Sequence, residues 1–103
     1  MIVAYEDDKV RVVLEEADSL GYIIHVKLYE WSKEVFWHCV EAMEYVKNHP
    51  KVKPLGKLYA GIGKENKKLQ KFASMFGFYN LEINVLRGDG EVHDLWEYRW
   101  NHG

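Results

Sequence analysis

Apolar and polar positions alternate at the start of this chain, recur at helical spacing twice in its middle, and alternate again towards its end. Residues 2–5 read as a short strand, and Glu6-Asp7-Asp8-Lys9 as a polar turn. The β-branched stretch over 10–15 supplies a hairpin partner. Asp18-Ser19-Leu20-Gly21 breaks the pattern, and residues 22–29 follow as the longest strand candidate. Its nearly continuous apolar run predicts a central strand covered on both faces.

Ser32 caps the helix that comes next, with Glu34 in its first turn complementing the helix dipole. Val35, Phe36, Cys39, Val40, Met43 and Val46 repeat at steps of three and four, and Asn48-His49-Pro50 ends the run. Residues 51–54 form a basic linker. A strand is expected over 55–62, where glycines at 56, 61 and 63 predict a bulge or a close backbone approach. Leu69, Phe72, Ala73 and Phe76 then mark a second amphipathic helix opened by Asn66. Gly77 suits the left-handed residue that closes a helix, and Phe78 folds back onto the last turn. Leu81, Ile83 and Val85 alternate with Glu82 and Asn84, Arg87-Gly88-Asp89-Gly90 makes a hairpin turn, and 92–100 form the return strand. The expected order is β-β-β-α-β-α-β-β. Two helices separated by a strand require a crossover, so the fold class is α+β, a mixed sheet with helices packed on it.

Composition fits one domain over residues 1–103 with a modest core: 48% of the chain is hydrophobic and 15% aromatic. No apolar run approaches the roughly 20 residues of a membrane helix, and the first residues lack a signal-peptide pattern. Cys39 is the sole cysteine, which excludes an intramolecular disulfide and makes a reducing cytoplasm the default. Charge is uneven. Eight lysines lie between Lys47 and Lys71 against the single acid Glu65, a local +7 that leaves −9 for the rest of a chain totalling −2. These lysines form either a solvated face or a patch for an anion such as a phosphate, a nucleic acid or an acidic protein. Arginine occurs only at 11, 87 and 99, outside the run, which argues against sequence-specific DNA binding.

The phrase Asn66-x-x-Leu69-x-x-Phe72-Ala73-x-x-x-Gly77-Phe78, set between an extended segment and a strand with a Gly-Asp-Gly turn, resembles the C-terminal half of the GNAT acetyltransferase superfamily. The likeness spans about residues 22–100. It is nearest to the compact phage-encoded members and the branch that acetylates ribosomal-protein N-termini. It implies that the Asn66 helix lies against a splayed sheet, and that the chain lacks the family's first strand and first two helices. An open side of that kind implies a protein partner or a second copy of the chain on apolar sheet surface.

In the superfamily, acetyl-CoA is held by backbone amides of the central strand and of the loop before the next helix, where an anion meets a helix N-terminus. Carried over, the resemblance places Val26, Lys27, Leu28, Ser32 and Lys33 at the cofactor, and Asn66 on its pantetheine arm. Asn66 reads equally as a helix cap. The loop, from Tyr29 through Glu30, Trp31 and Ser32 to Phe36, contains no glycine and no arginine. Glu30 and Glu34 would face the diphosphate, costing on the order of a kcal/mol each, with Lys33 offsetting one. The tyrosine that protonates the departing thiolate in many members is Ala73 here. His25 and Glu30 are the candidates for a general base, His25 reading also as a packed core histidine. The remaining histidines show no metal-ligand spacing, so no metal is expected.

The expected function is therefore a GNAT-fold, phage-type protein acting by binding or assembly, as a virion component or a factor for a host protein. It would sit in the host cytoplasm or the virion and require no cofactor. The alternative is an active acetyl-CoA-dependent N-acetyltransferase of a protein or small amine. Trp31, Trp37, Trp96, Tyr98 and Trp100 are a high aromatic load, as interface anchors are.

Overall fold

A computed structural model describes residues 1–17, 21–86 and 90–100. The order is β1 (Ile2–Glu6), β2 (Val10–Ala17), β3 (Gly21–Leu28), α1 (Lys33–Lys47), β4 (Lys57–Gly63), α2 (Lys67–Met75), β5 (Tyr79–Leu86) and β6 (Val92–Arg99). Every predicted element is present and in sequence. The turns expected at 18–20 and 87–89 lie outside the described residues.

The six strands form one mixed sheet in the order β1-β2-β3-β4-β6-β5. β1/β2, β2/β3, β4/β6 and β5/β6 are antiparallel, and β3/β4 is the parallel pair that the α1 crossover demands. β2 and β3 pair along their whole length, from Val10↔Leu28 to Ala17↔Gly21. β3 and β4 pair only at Ile23↔Tyr59 and Ile24↔Ala60. Those pairs lie near the start of β3, so the two strands part towards their C-terminal ends.

Both helices cover the same face. Their inward residues Cys39, Ala42, Met43, Val46 and Ala73 join Val10, Val12, Leu14, Ile24, Leu58, Ile62 and Trp96 of the sheet in one core. β2 shows the reason: Val10, Val12 and Leu14 alternate with outward positions, and a strand's side chains change face at every residue. The opposite face is built from Val3, Val13, Ile23, Tyr59, Ile83 and Leu95, and among the described residues no helix lies on it. This corrects one expectation. β3 is central in the sheet, yet it is covered on one face, and its apolar run serves the open face as well.

Three further corrections concern local structure. The strand expected over 55–62 begins at Lys57, because 51–56 wind into consecutive turns closed by Val52 N–H to His49 O, Leu55 N–H to Val52 O and Gly56 N–H to Val52 O. Val52 is fully buried, so the segment is an anchored turn and not a free linker. No bulge accompanies Gly61 and Gly63, since β4 pairs β6 without a break from Lys57↔Arg99 to Gly63↔His93. The bulges fall instead in β1 between Val3 and Tyr5 and in β5 between Asn80 and Ile83, where Glu82 takes φ +60 and donates its N–H to Asn80 Oδ1.

The end of α2 matches its sequence signature. Gly77 adopts φ +97, its N–H reaches Ser74 O, and the Phe78 N–H reaches Ala73 O while the Phe78 ring is buried. No helix among the described residues is long and apolar enough to cross a membrane.

Candidate functional site

The parting of β3 and β4 creates a cavity of about 210 Å³. Its helix side is lined by Ile24, Val26, Ala60 and Ile62 from the sheet and by Cys39, Met43, Leu69, Phe72 and Phe76 from α1 and α2. His25, Gly61 and His93 line it as well, and these belong to the other face of the sheet. The cavity therefore reaches between the separated strands, from the helix layer towards the open face. Crevices at the C-terminal ends of parallel strands are a recurrent ligand position, because the chain diverges there to opposite neighbours. Ser32 and Asn66, which begin the two helices, stand at that same end.

The histidines of the cavity are each met by a carboxylate, one on β2 and one just before β6. His25 Nε2 lies 3.0 Å from Glu15 Oε1 on β2, and His93 Nε2 lies 3.3 Å from Glu91 Oε2. Gly63 faces His93 in the register, with the position of an added β-carbon 4.0 Å from the imidazole Cε1. Cys39 is buried in the wall, and desolvation together with the charge of Asp7 pushes its thiol up to about 11, so it packs as an apolar group.

Of the other predicted site residues, Val26 lines the cavity with His25, whereas Lys27, Leu28, Glu30, Ser32, Lys33 and Asn66 do not. Lys27 is exposed with its ammonium over the Tyr29 ring, and Leu28 turns to the core opposite Val10. Ser32 caps α1 by accepting from Val35 N–H at 3.4 Å, and Asn66 caps α2 by accepting from Leu69 N–H at 3.1 Å. Lys33 opens α1 and is exposed. Glu30 is engaged by Lys9 from the β1–β2 turn. The hydrogen bond from Lys9, then that from Ser32, lowers the Glu30 carboxyl, and the same pair raises the Lys9 ammonium. The compensation that sequence assigned to Lys33 thus comes from Lys9, 21 residues away.

Trp31 crosses from the pre-α1 segment to α2. Its ring meets the Phe72 ring edge-on at 5.5 Å, and Lys68 Nζ stands 4.1 Å above it. Phe36 continues the contact to Phe72 and Phe76, so one aromatic run ties α1 to α2 over the cavity. The remaining predicted anchors divide. Trp37 is exposed on α1, as is Tyr45, which was not among them, but Trp96 is buried, and Tyr98 and Trp100 pack against the core beneath Lys47.

The lysine run is likewise divided. Lys47, Lys51, Lys53 and Lys57 sit before β4 or at its first residue, and Lys64, Lys67, Lys68 and Lys71 follow its last. Seven strand residues at about 3.3 Å each put roughly 20 Å between the groups, so there is no single cationic patch.

Sequence reasoning missed two polar clusters. Asp7 accepts from the N–H groups of Lys9 and Val10, from Tyr5 Oη at 2.8 Å, and pairs with His38 Nδ1 at 2.6 Å. Burial acts to raise its carboxyl, and these bonds, led by His38, outweigh that and hold it well below the usual range. Asp8 brings a third donor within 4.8 Å of Asp7 and His38, the spacing of a cation site. With Asp7 already bonded four ways, the arrangement is a fastener between the first turn and α1. On the open face, Glu97 is buried among Tyr79, Tyr59 and Arg99, whose bonds overcome burial and hold it at about 2. Compared with known proteins, the chain matches no protein-family model and no curated protein.

Proposed function

We propose that the chain is a GNAT-like domain of the compact phage type that works by binding or assembly, as a virion component or a factor for a host protein, with its acetyl-CoA chemistry impaired or absent. The observation that carries this reading is the closure by Trp31. A CoA diphosphate seated at the start of α1 would send its thioester arm between that loop and α2. Trp31, packed on Phe72 beneath Lys68, fills this route. The residues present do not fit the cofactor. Ser32 and Asn66 spend their side-chain oxygens on helix caps, and Glu30, paired with Lys9, would stand beside the diphosphate if the cofactor sat as the resemblance implies.

The parted β3/β4 pair with α2 packed against it supports the scaffold half of the reading. Exposed Trp37, Tyr45 and Trp31, with Val3 and Ile83 on the open face, support a protein partner or a second copy of the chain. A transferase is the second reading, favoured by the cavity itself. In that reading His25, held by Glu15 at the parting, would take a proton from an acceptor amine.

Thermal unfolding with millimolar acetyl-CoA decides between them. Saturation at a hundred times Kd stabilises a protein by about 2.7 kcal/mol, a shift of several degrees. An unmoved midpoint is expected, and a shift of that size would overturn the binding reading. Sedimentation adds a second arm: a monomer at all concentrations removes the homo-oligomer but leaves a foreign partner.

A further inference from the structure

α1 and α2 lie side by side on the sheet, and their outward faces carry opposite charge. On α1 the residues turned from the core are Glu34, Trp37, Glu41, Glu44 and Tyr45, all exposed, Trp37 at 68%. Lys33 opens the same face, and Lys47 engages Glu44 at 3.3 Å. On α2 the outward residues are Lys67, Lys68, Lys71 and Met75, with no acid in the first turn. Lys67 and Lys68 thus sit where the helix dipole disfavours a cation. Among the described residues Glu34, Glu41, Lys67 and Lys71 form no ion pair. Both faces look out of one layer, so these charges do not close on each other within a single chain.

The exposed rings are held in place. Trp37 meets Phe36 edge-on at 5.4 Å, and Tyr45 leans on Tyr5 at 5.3 Å. A fixed ring framed by carboxylates suits a cation on an apolar stem, which a lysine is. Such lysines stand on α2 of a second copy. Both helices begin at the C-terminal ends of the parallel strands β3 and β4 and run the same way. A two-fold axis in the plane of the layer, parallel to the helices and between them, therefore sets each α1 on the other copy's α2. The stripes match in length, since Trp37 to Tyr45 and Lys67 to Met75 each span about 12 Å. We propose that the helix layer is the contact surface of a symmetric dimer of this chain. In it Glu34 and Glu41 of each copy meet Lys67 and Lys71 of the other, and Trp37 lies against Met75 and the lysine stems. The same patch serves both copies, so the contact closes at two.

The dimer rests on the binding-or-assembly reading of the preceding subsection and gives it an occupant. The two fail apart: a midpoint moved by acetyl-CoA overturns that reading whatever the mass, whereas a monomer overturns the dimer and leaves a foreign partner.

Sedimentation equilibrium on the full chain tests it. A reversible dimer is expected at about 50 mM salt, at least about tenfold weaker at about 500 mM, because screening shortens to a few ångströms. Glu34→Lys with Glu41→Lys in one chain, and Lys67→Glu with Lys71→Glu in another, should each give a monomer, since like charges then face each other at both contacts. Mixing the two variants should restore the dimer, which misfolded chains would not do. A monomer of the unaltered chain at low salt, or a dimer indifferent to salt and to the reversals, as one formed through the open sheet face would be, overturns the proposal. So does a mixture of the two variants that stays monomeric. The salt comparison needs no substitution, so it stands even where a variant fails to fold.

Discussion

The two faces of the sheet are built from the same strands and hold themselves together differently. The helix-covered face is a hydrophobic layer in which Leu14, Leu58 and Val46 are inaccessible to solvent. The opposite face mixes exposed apolar residues such as Val3 and Ile83 with a buried carboxylate, Glu97, and its ring of donors. Burial drives the first and hydrogen bonding to charge specifies the second. The lesson is that a strand can serve both, because alternate residues answer to different physics.

Leu58→Ala should sharpen the contrast most. It removes a fully buried side chain and should cost about 3 kcal/mol in urea unfolding. Ile83→Ala on the open face should stay within about 0.5 kcal/mol. Equal losses would mean that something unseen covers the open face.

Glu97→Gln comes next, at about 1–2 kcal/mol at pH 7, since it weakens a charge-assisted network. The Glu97 carboxyl falls from its usual 4.5 to about 2 in the folded chain, so its contribution is complete above the usual value. It is lost as pH falls through about 2. The gap between Glu97→Gln and the unaltered protein should therefore close in acid, and a gap that widens below pH 4 would contradict the network.

The smallest effect belongs to the fastener between the β1–β2 turn and α1. The hydrogen bond to Asp7 raises His38 above its usual 6.5, and Asp7 is lowered beneath its usual 3.8. The His38 contribution is full below pH 6.5 and lost as pH rises through the raised value. The Asp7 contribution is present above 3.8 and lost in acid. The penalty of His38→Gln, a degree or so in the melting midpoint, should thus be largest between about pH 4 and 6.5. A penalty that grows above pH 8 would refute the pairing.

The fold was legible wherever its determinants are local. Val10, Val12 and Leu14 announce their strand by alternation, and Gly77-Phe78 announces the end of α2 because the closing hydrogen bonds span only five residues. The start of β4 was not legible. Leu55 is apolar enough for a strand, but Gly56 takes φ +66 and its amide bonds Val52 within a turn. The candidate site was half legible. His25 and Val26 could be placed on a central strand, while His93 reaches the cavity through the antiparallel register of β6 on β4, which no spacing along the chain encodes. Lys9 with Glu30 and Asp7 with His38 are separated by 21 and 31 residues, beyond any sequence pattern.

The short joint between β3 and β4 has a mechanical consequence. Antiparallel ladders of seven or eight residue pairs hold β2 to β3 and β4 to β6, but Ile23↔Tyr59 and Ile24↔Ala60 alone stitch the left half of the sheet to the right. A pull across the strands would tear there first, and the helices, bridging the seam like a splint, would carry the remaining load.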